Sequence, residues 1–143
     1  MNGFYSFLWP FINLLDPEIT HSLAIAALKR GLISGHPVVP VPLLQQRIWG
    51  LDFKNPVGLA AGFDKNAEVA EVMLGQGFGF VEAGTVTPKA QPGNQKPRLF
   101  RFTRERAVIN RLGFNSAGLE AVLNNLPPSS QRLGPIGINL GKN

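Results

Sequence analysis

Apolar and polar positions change rhythm along this chain. The first fifteen residues, MNGFYSFLWPFINLL, carry no charged side chain, and Phe4, Tyr5, Phe7, Trp9 and Phe11 sit among them. The run is shorter than the roughly 20 apolar residues of a spanning helix. Pro10 interrupts it, and no basic start or small-residue cleavage site marks a signal peptide. Asp16-Pro17-Glu18 then reads as a helix start: an N-cap carboxylate, a proline suited to the first helical position and a negative charge at the positive helix end. Ile19, Leu23, Ala26 and Ala27 form one apolar stripe at helical spacing, and Gly31 is a fitting C-terminal glycine. Two short apolar helices joined near Asp16 are therefore expected. They form either a hairpin packed on its own domain or a membrane-surface element rich in interfacial aromatics.

Pro37, Pro40 and Pro42 in HPVVPVP break helical structure and predict an extended linker. This divides the chain into a helical unit, residues 1–40, and a second unit, residues 41–143. After the linker the rhythm alternates. Gln46 to Phe53 predicts two short strands around Gly50, and Val57 to Ala61 a buried strand. A helix starting at Asp64 to Asn66 is expected through Leu74, followed by a strand over Phe78 to Ala83. Leu99 to Phe102 and Ala107 to Asn110 predict a hairpin. Ser116 caps a helix through Leu126, and Pro135 to Leu140 is a third buried strand. Alternating strands and helices imply an α/β fold with parallel strands and right-handed crossovers.

In parallel α/β folds the residues that do chemistry sit at the carboxyl ends of strands. Polar residues follow small ones at such ends here: Lys65 in AGFDK, Thr85 in AGT, and Asn139 in NLGKN. The Lys65 loop is not a P-loop, because the GxxxxGK[ST] spacing is missing, and the glycines of GFGF do not match GxGxxG. Lys65 is either structural or displayed for a ligand. The cluster Asn110 to Asn115 offers two amides, a guanidinium and a glycine within NRLGFN. That set suits a planar ligand with carbonyl, ring N–H and carboxylate groups, although a polar turn uses the same residues.

Composition narrows the class. With 143 residues, 44% hydrophobic and 16% charged, the chain has globular composition. The absence of cysteine excludes disulfides, thiolate metal ligation and cysteine nucleophiles, and with two histidines a metal site is not expected. The net charge is +5, with five arginines in RLFRFTRERAVINR. This is a solvated hairpin face or a basic patch toward an anionic membrane or ligand. Nucleic acid is not expected, since no recognition helix or RNA-binding signature accompanies the arginines.

Taken together, NPVGLAAGFDKN, EAGTVTPKAQPGNQKPRLFR, INRLGFNSAG and GINLGKN resemble the quinone-dependent (class 2) dihydroorotate dehydrogenases, in the same order, from about Asp16 to Asn143. The resemblance implies the N-terminal part of a (β/α)8 TIM barrel preceded by a short helical hairpin domain. It implies an FMN enzyme of pyrimidine biosynthesis that oxidises dihydroorotate to orotate and passes the electrons to a membrane quinone. Ala61, Gly62, Phe63, Asp64 and Lys65 would lie against FMN, with Thr85 and Asn139 as further flavin contacts. Lys65 would also reach the substrate, and Asn110, Arg111, Leu112, Gly113 and Phe114 would hold the orotate ring. His21 and Arg101 would be polar groups near the quinone. The helical unit implies peripheral association with the cytoplasmic side of the inner membrane.

The chain also departs from the family. Such barrels need roughly 250 residues, and the residues after the linker supply three barrel strands. The base of this class is a serine on a later loop, which would take a proton from C5 of dihydroorotate as hydride passes from C6 to flavin N5. Ser116, Ser129 and Ser130 do not match its motif, so the base is expected beyond Asn143 and the 143-residue chain alone is expected to be inactive. The alternatives are a non-catalytic membrane-binding remnant, or a related FMN barrel with another acceptor. The aromatic N-terminus argues against the latter, because the soluble class 1 relatives lack it.

Overall fold

The computed structural model describes residues 10–33, 35 and 41–143. Phe4, Tyr5, Phe7 and Trp9, and the part of the proline linker over residues 36–40, lie outside the described residues, so the expectations placed on them do too.

Residues 10–14 are helical (α1), and α2 spans Pro17–Lys29. Its start follows from side-chain chemistry: the Asp16 carboxylate accepts from the amides of Glu18 and Ile19 at 2.8 and 3.1 Å. Its end follows from backbone freedom. Gly31 takes φ +67°, the Gly31 amide donates to the Leu28 carbonyl and the Leu32 amide to the Ala27 carbonyl. This paired reversal satisfies carbonyls that the last turn leaves open. The expected stripe of α2 is not its core face. Ile25 and Leu28 are buried, whereas Ile19 and Leu23 are 53% and 56% exposed. Both faces carry aliphatic residues, and helical spacing alone does not say which one meets the body of the protein.

Strands β1 (Gln46–Ile48) and β2 (Leu51–Phe53) form an antiparallel pair turning at Trp49-Gly50. Strand β3 is Gly58–Leu59, shorter than the expected run over Val57 to Ala61, and Val57 is exposed. The helix expected from Asp64 starts only at Ala70, as α3, Ala70–Gly75. Two features delay it. Ala67 has φ +55°, outside the helical region, and the Asp64 carboxylate takes the amides of Glu68 and Val69 at 2.8 Å each. Strand β4, Phe80–Val86, runs further than expected and takes in Gly84 and Thr85. The hairpin of β5, Leu99–Phe102, and β6, Ala107–Asn110, has the expected bounds and pairs Leu99 with Asn110. Helix α4, Leu119–Asn125, begins three residues after Ser116; Gly118 stands at its N-cap, and the Ser116 hydroxyl instead accepts from the Gly118 and Thr87 amides. Strand β7 is Ile136–Leu140.

Strands β3, β4 and β7 form a parallel sheet in that order, with Gly58 opposite Phe80 and Val81 opposite Ile136. Alternation gives the sheet two chemically distinct faces. On one face Val81 is fully buried with residues of α2 and α3 and Ala83 with Val122 of α4, and Ile136 and Ile138 pack beside them. Glu82 and Asn139 point to the opposite face, where the Asn139 amide donates to Glu82 at 3.3 Å. Ile25 and Leu28 of α2 share one cluster with Val69, Ala70, Met73, Leu74 and Val81. Each such aliphatic side chain, fully buried, contributes about 1.5–3 kcal/mol.

Candidate functional site

The loop after β3 is tied to the end of β4 by backbone. The Gly62 amide donates to the Gly84 carbonyl at 2.8 Å, and the Gly84 amide donates to the Asp64 carbonyl at 2.9 Å. Gly84 has φ +123°, and a Cβ there would come within 2.5 Å of the Asn139 carbonyl oxygen, so only glycine permits this approach of β4 to β7. Between Ala83 and Val86 the register with β7 shifts. The Thr85 hydroxyl there donates to the Asn139 side-chain oxygen at 2.6 Å. Asp64 is buried and spent on the loop amides, which makes it a loop organiser.

Lys65 is thereby presented over this sheet end, its ammonium donating to the Gly62 carbonyl at 2.8 Å. Burial lowers its pKa from the ordinary lysine range; the Arg98 charge pushes the same way, and Glu18 and Asp64 oppose it. A desolvated ammonium beside an exposed backbone is a seat for negative charge. The Lys65 ammonium, Gly62, Thr85 and residues 110–115 line one cleft of about 270 Å³. The flavin and substrate residues expected from the sequence, drawn from three separated segments, thus meet there, apart from Ala61, Phe63, Asp64 and Asn139 behind or beside its wall.

The 110–115 segment is shaped by left-handed turns at Gly113 (φ +71°) and Phe114 (φ +54°). Phe114 stands 61% exposed at the rim. The Arg111 guanidinium is turned back onto the Pro97 carbonyl at 3.0 and 3.4 Å and braces the loop. Asn115 lines both this cleft and a larger one of about 600 Å³ beneath α2, and its side-chain oxygen is buried without a hydrogen-bond partner.

That larger cleft contains His21, whose ring meets Phe63 edge-on at 5.3 Å. Burial, aided by the Lys65 charge, lowers the His21 pKa. Arg101 does not share this cleft. Its guanidinium donates to the Leu15 and Ile12 carbonyls at 3.1 and 3.4 Å, at the carboxyl end of α1. Arg101 thus binds the end of α1, while His21 lies in the cleft beneath α2.

Sequence reasoning missed Arg98 and Asn94. Arg98 was grouped with the arginines of a solvated hairpin face, yet it is 7% exposed. Its partner, Glu18, is 80 residues away in sequence, and no local pattern announces such a pair. Asn94 lay in the polar loop AQPGNQKP; its amide reaches the Arg111 carbonyl at 2.8 Å.

The face beside Lys65 also fits a flat, oxygen-rich cofactor. Gly62 is exposed, and a Cβ at it would meet no atom within 4 Å, which leaves open backbone for a ring to lie upon. Beside it stand one ammonium and one hydroxyl for ring oxygens and nitrogens.

A family model described as dihydroorotate dehydrogenase matches residues 43–143. The chain belongs to the dihydroorotate dehydrogenase family. It is similar to the dihydroorotate dehydrogenase (quinone) of Rhodospirillum rubrum, 54% identical over 143 residues, which is all of this chain and 39% of the relative. It is similar to that of Rhizobium rhizogenes, 57% identical over 130 residues, 91% of this chain and 36% of the relative. Azorhizobium caulinodans has a relative of the same name at 51% identity, covering 97% of this chain and 40% of its own length. This member of the family therefore spans between 36% and 40% of the length of these relatives. Among solved structures it is similar to the DHODH of Eimeria tenella in complex with ferulenol, with a TM-score of 0.81 and 46% identity over 90% of this chain and 36% of that one. The ligand-free structure from the same organism matches with the same TM-score.

Proposed function

We propose that this chain forms the first part of a quinone-dependent dihydroorotate dehydrogenase, which oxidises dihydroorotate to orotate in pyrimidine biosynthesis and delivers the electrons to a membrane quinone. The observation that carries this reading is the cleft that gathers Lys65, Gly62, Thr85 and residues 110–115 from three separated segments. The sheet β3-β4-β7 is read as the opening arc of a (β/α)8 barrel, with its ligand at the carboxyl ends of the strands.

FMN, when bound, supplies the two-electron acceptor that ring oxidation requires. The residues to hold it are Ala61, Gly62, Phe63, Lys65, Thr85 and Asn139, with Asp64 shaping their loop through its carboxylate. Gly62 offers open backbone, Thr85 and Asn139 polar contacts, and Lys65 a positive charge for flavin and substrate. Asn110 to Phe114 hold the dihydroorotate ring, and the Lys65 ammonium offsets negative charge on it. Among the described residues no serine lines the cleft, and the Ser116 hydroxyl accepts from two backbone amides.

Residues 1–40 are read as the membrane-facing, quinone-entry unit, peripheral on the cytoplasmic side of the inner membrane, with His21 and Arg101 near the acceptor. Phe11, Leu14, Leu15, Ile19 and Leu23 support this, each between 44% and 85% exposed. No helix among the described residues is long and apolar enough to cross a membrane.

The test is the protein expressed at the length of its relatives, assayed for a flavin spectrum and its perturbation by orotate. A protein that takes up FMN and answers to orotate supports the reading; one that binds neither sinks it. Removing residues 1–40 should abolish binding to phospholipid vesicles while the flavin stays bound.

A further inference from the structure

Arg98 joins two parts of the molecule that the reaction scheme treats separately. Its Nε and Nη2 donate to the two carboxylate oxygens of Glu18 in α2 at 2.6 and 3.1 Å. Its Nη1 donates to the carbonyls of Pro92 and Asn94 at 2.6 and 2.8 Å. A guanidinium is a rigid planar fork, so fixing one edge on Glu18 fixes where the other holds the loop. Lys96 adds a second cation to Glu18 at 3.0 Å.

The chain of contacts continues into the cleft. The Asn94 amide donates to the Leu112 carbonyl at 3.0 Å, and its side chain donates to the Arg111 carbonyl. The Arg111 amide returns to the Arg98 carbonyl at 2.8 Å. Packing leaves no slack in this path. A Cβ at Gly93 would stand 2.9 Å from the Arg98 guanidinium, and one at Gly113 would stand 2.7 Å from Asn94. Displacing Arg98 therefore displaces residues 92–94, and with them residues 111–113.

We propose that Arg98 is a positioning residue for the cleft: held by Glu18 of α2, it sets the 92–94 loop, which sets the backbone of Arg111 to Gly113. The inference rests on the reading of that cleft as the site of a planar anionic ring. It adds that the seating of α2 is felt there through one ion pair, without Arg98 touching the ligand. Arg98→Lys keeps the charge and loses the fork, so it separates charge from geometry. Glu18→Gln weakens the anchor and leaves the loop contacts in place.

The experiment compares wild type, Arg98→Ala, Arg98→Lys and Glu18→Gln in the flavin-loaded, full-length protein. Orotate is titrated by the flavin absorbance change, and amide hydrogen exchange is followed at Asn94 and Arg111. The expected result is roughly tenfold weaker orotate binding for Arg98→Ala, because small misplacements of binding groups carry large penalties. Arg98→Lys and Glu18→Gln fall between it and wild type. Exchange at Asn94 and Arg111 speeds up in the same order, while β4 amides and flavin content stay unchanged. Unaltered orotate affinity with unaltered exchange overturns the proposal. If Arg98→Ala fails to fold, the other two variants decide by the same ordering. If wild type itself ignores orotate, the functional reading falls, and exchange at Asn94 and Arg111 alone upholds or overturns the positioning role.

Discussion

The Lys65 cleft and the seat of helix α2 are held together by opposite means. In the cleft, short polar side chains and glycine backbone do the work: Gly62 on Gly84, Thr85 on Asn139, Asn94 on Arg111. At the seat of α2, Ile25 and Leu28 are buried against Met73, Leu74 and Val81, and the Glu18 carboxylate pairs with Arg98 and Lys96 at its start. Hydrogen bonds fix direction and leave groups for a ligand, whereas apolar burial is non-directional and supplies stability. Changes in the cleft should therefore alter binding with little loss of stability, changes in the apolar seat should mainly cost stability, and changes in the Glu18–Arg98 pair, which joins the two regions, should affect both.

The largest effect expected is on stability at the seat. Leu28→Ala should lower unfolding free energy by roughly 2–5 kcal/mol, measured by denaturant titration, and change orotate affinity less than Arg98→Ala does. Leu23→Ala, on the exposed face of the same helix, should stay within about 0.5 kcal/mol of wild type. Equal losses in the two variants would show that the buried face has been misassigned. Lys65→Ala should weaken orotate binding by about a hundredfold through loss of a charge-assisted contact. It should leave the melting temperature within about 3 °C. A large fall in melting temperature would make Lys65 a structural residue.

Acid should act on the seat first. Arg98, with help from Lys96 and against a cost of burial, holds the Glu18 carboxyl down at about 2 from an ordinary 4.5. A carboxylate with a depressed folded pKa stabilises fully above its unfolded pKa, and that stability is lost as pH falls toward the folded one. Thermal melts should therefore decline between about pH 4.5 and pH 2 by the equivalent of ~2 kcal/mol. Glu18→Gln should remove this part of the pH dependence; an unchanged acid limb would count against the ion pair. A smaller loss is expected at the helix cap, where Asp16→Ala should cost about 1 kcal/mol, read by the same melts.

The contrast between the two regions also marks what was legible beforehand. Asp16 as cap, Gly31 as stop and the hairpin of Leu99–Phe102 with Ala107–Asn110 were readable, because each is decided within a few residues. The residues of the cleft were legible as separate motifs at strand ends. The late start of α3 was not, because Asp64 and the positive φ of Ala67 override a good helical pattern.

The sequence by itself determined the alternation of strands and helices, the cap and stop of α2, and the polar clusters that follow strand ends, because these depend on neighbours along the chain. Tertiary structure alone decided that Ile25 and Leu28, rather than Ile19 and Leu23, face the core. It also decided that Arg98 is a buried strut and Arg101 a partner of the α1 carbonyls, and that Lys65, Thr85 and residues 110–115 share one cleft. Those outcomes depend on desolvation and on partners tens of residues away, and no local spacing encodes either.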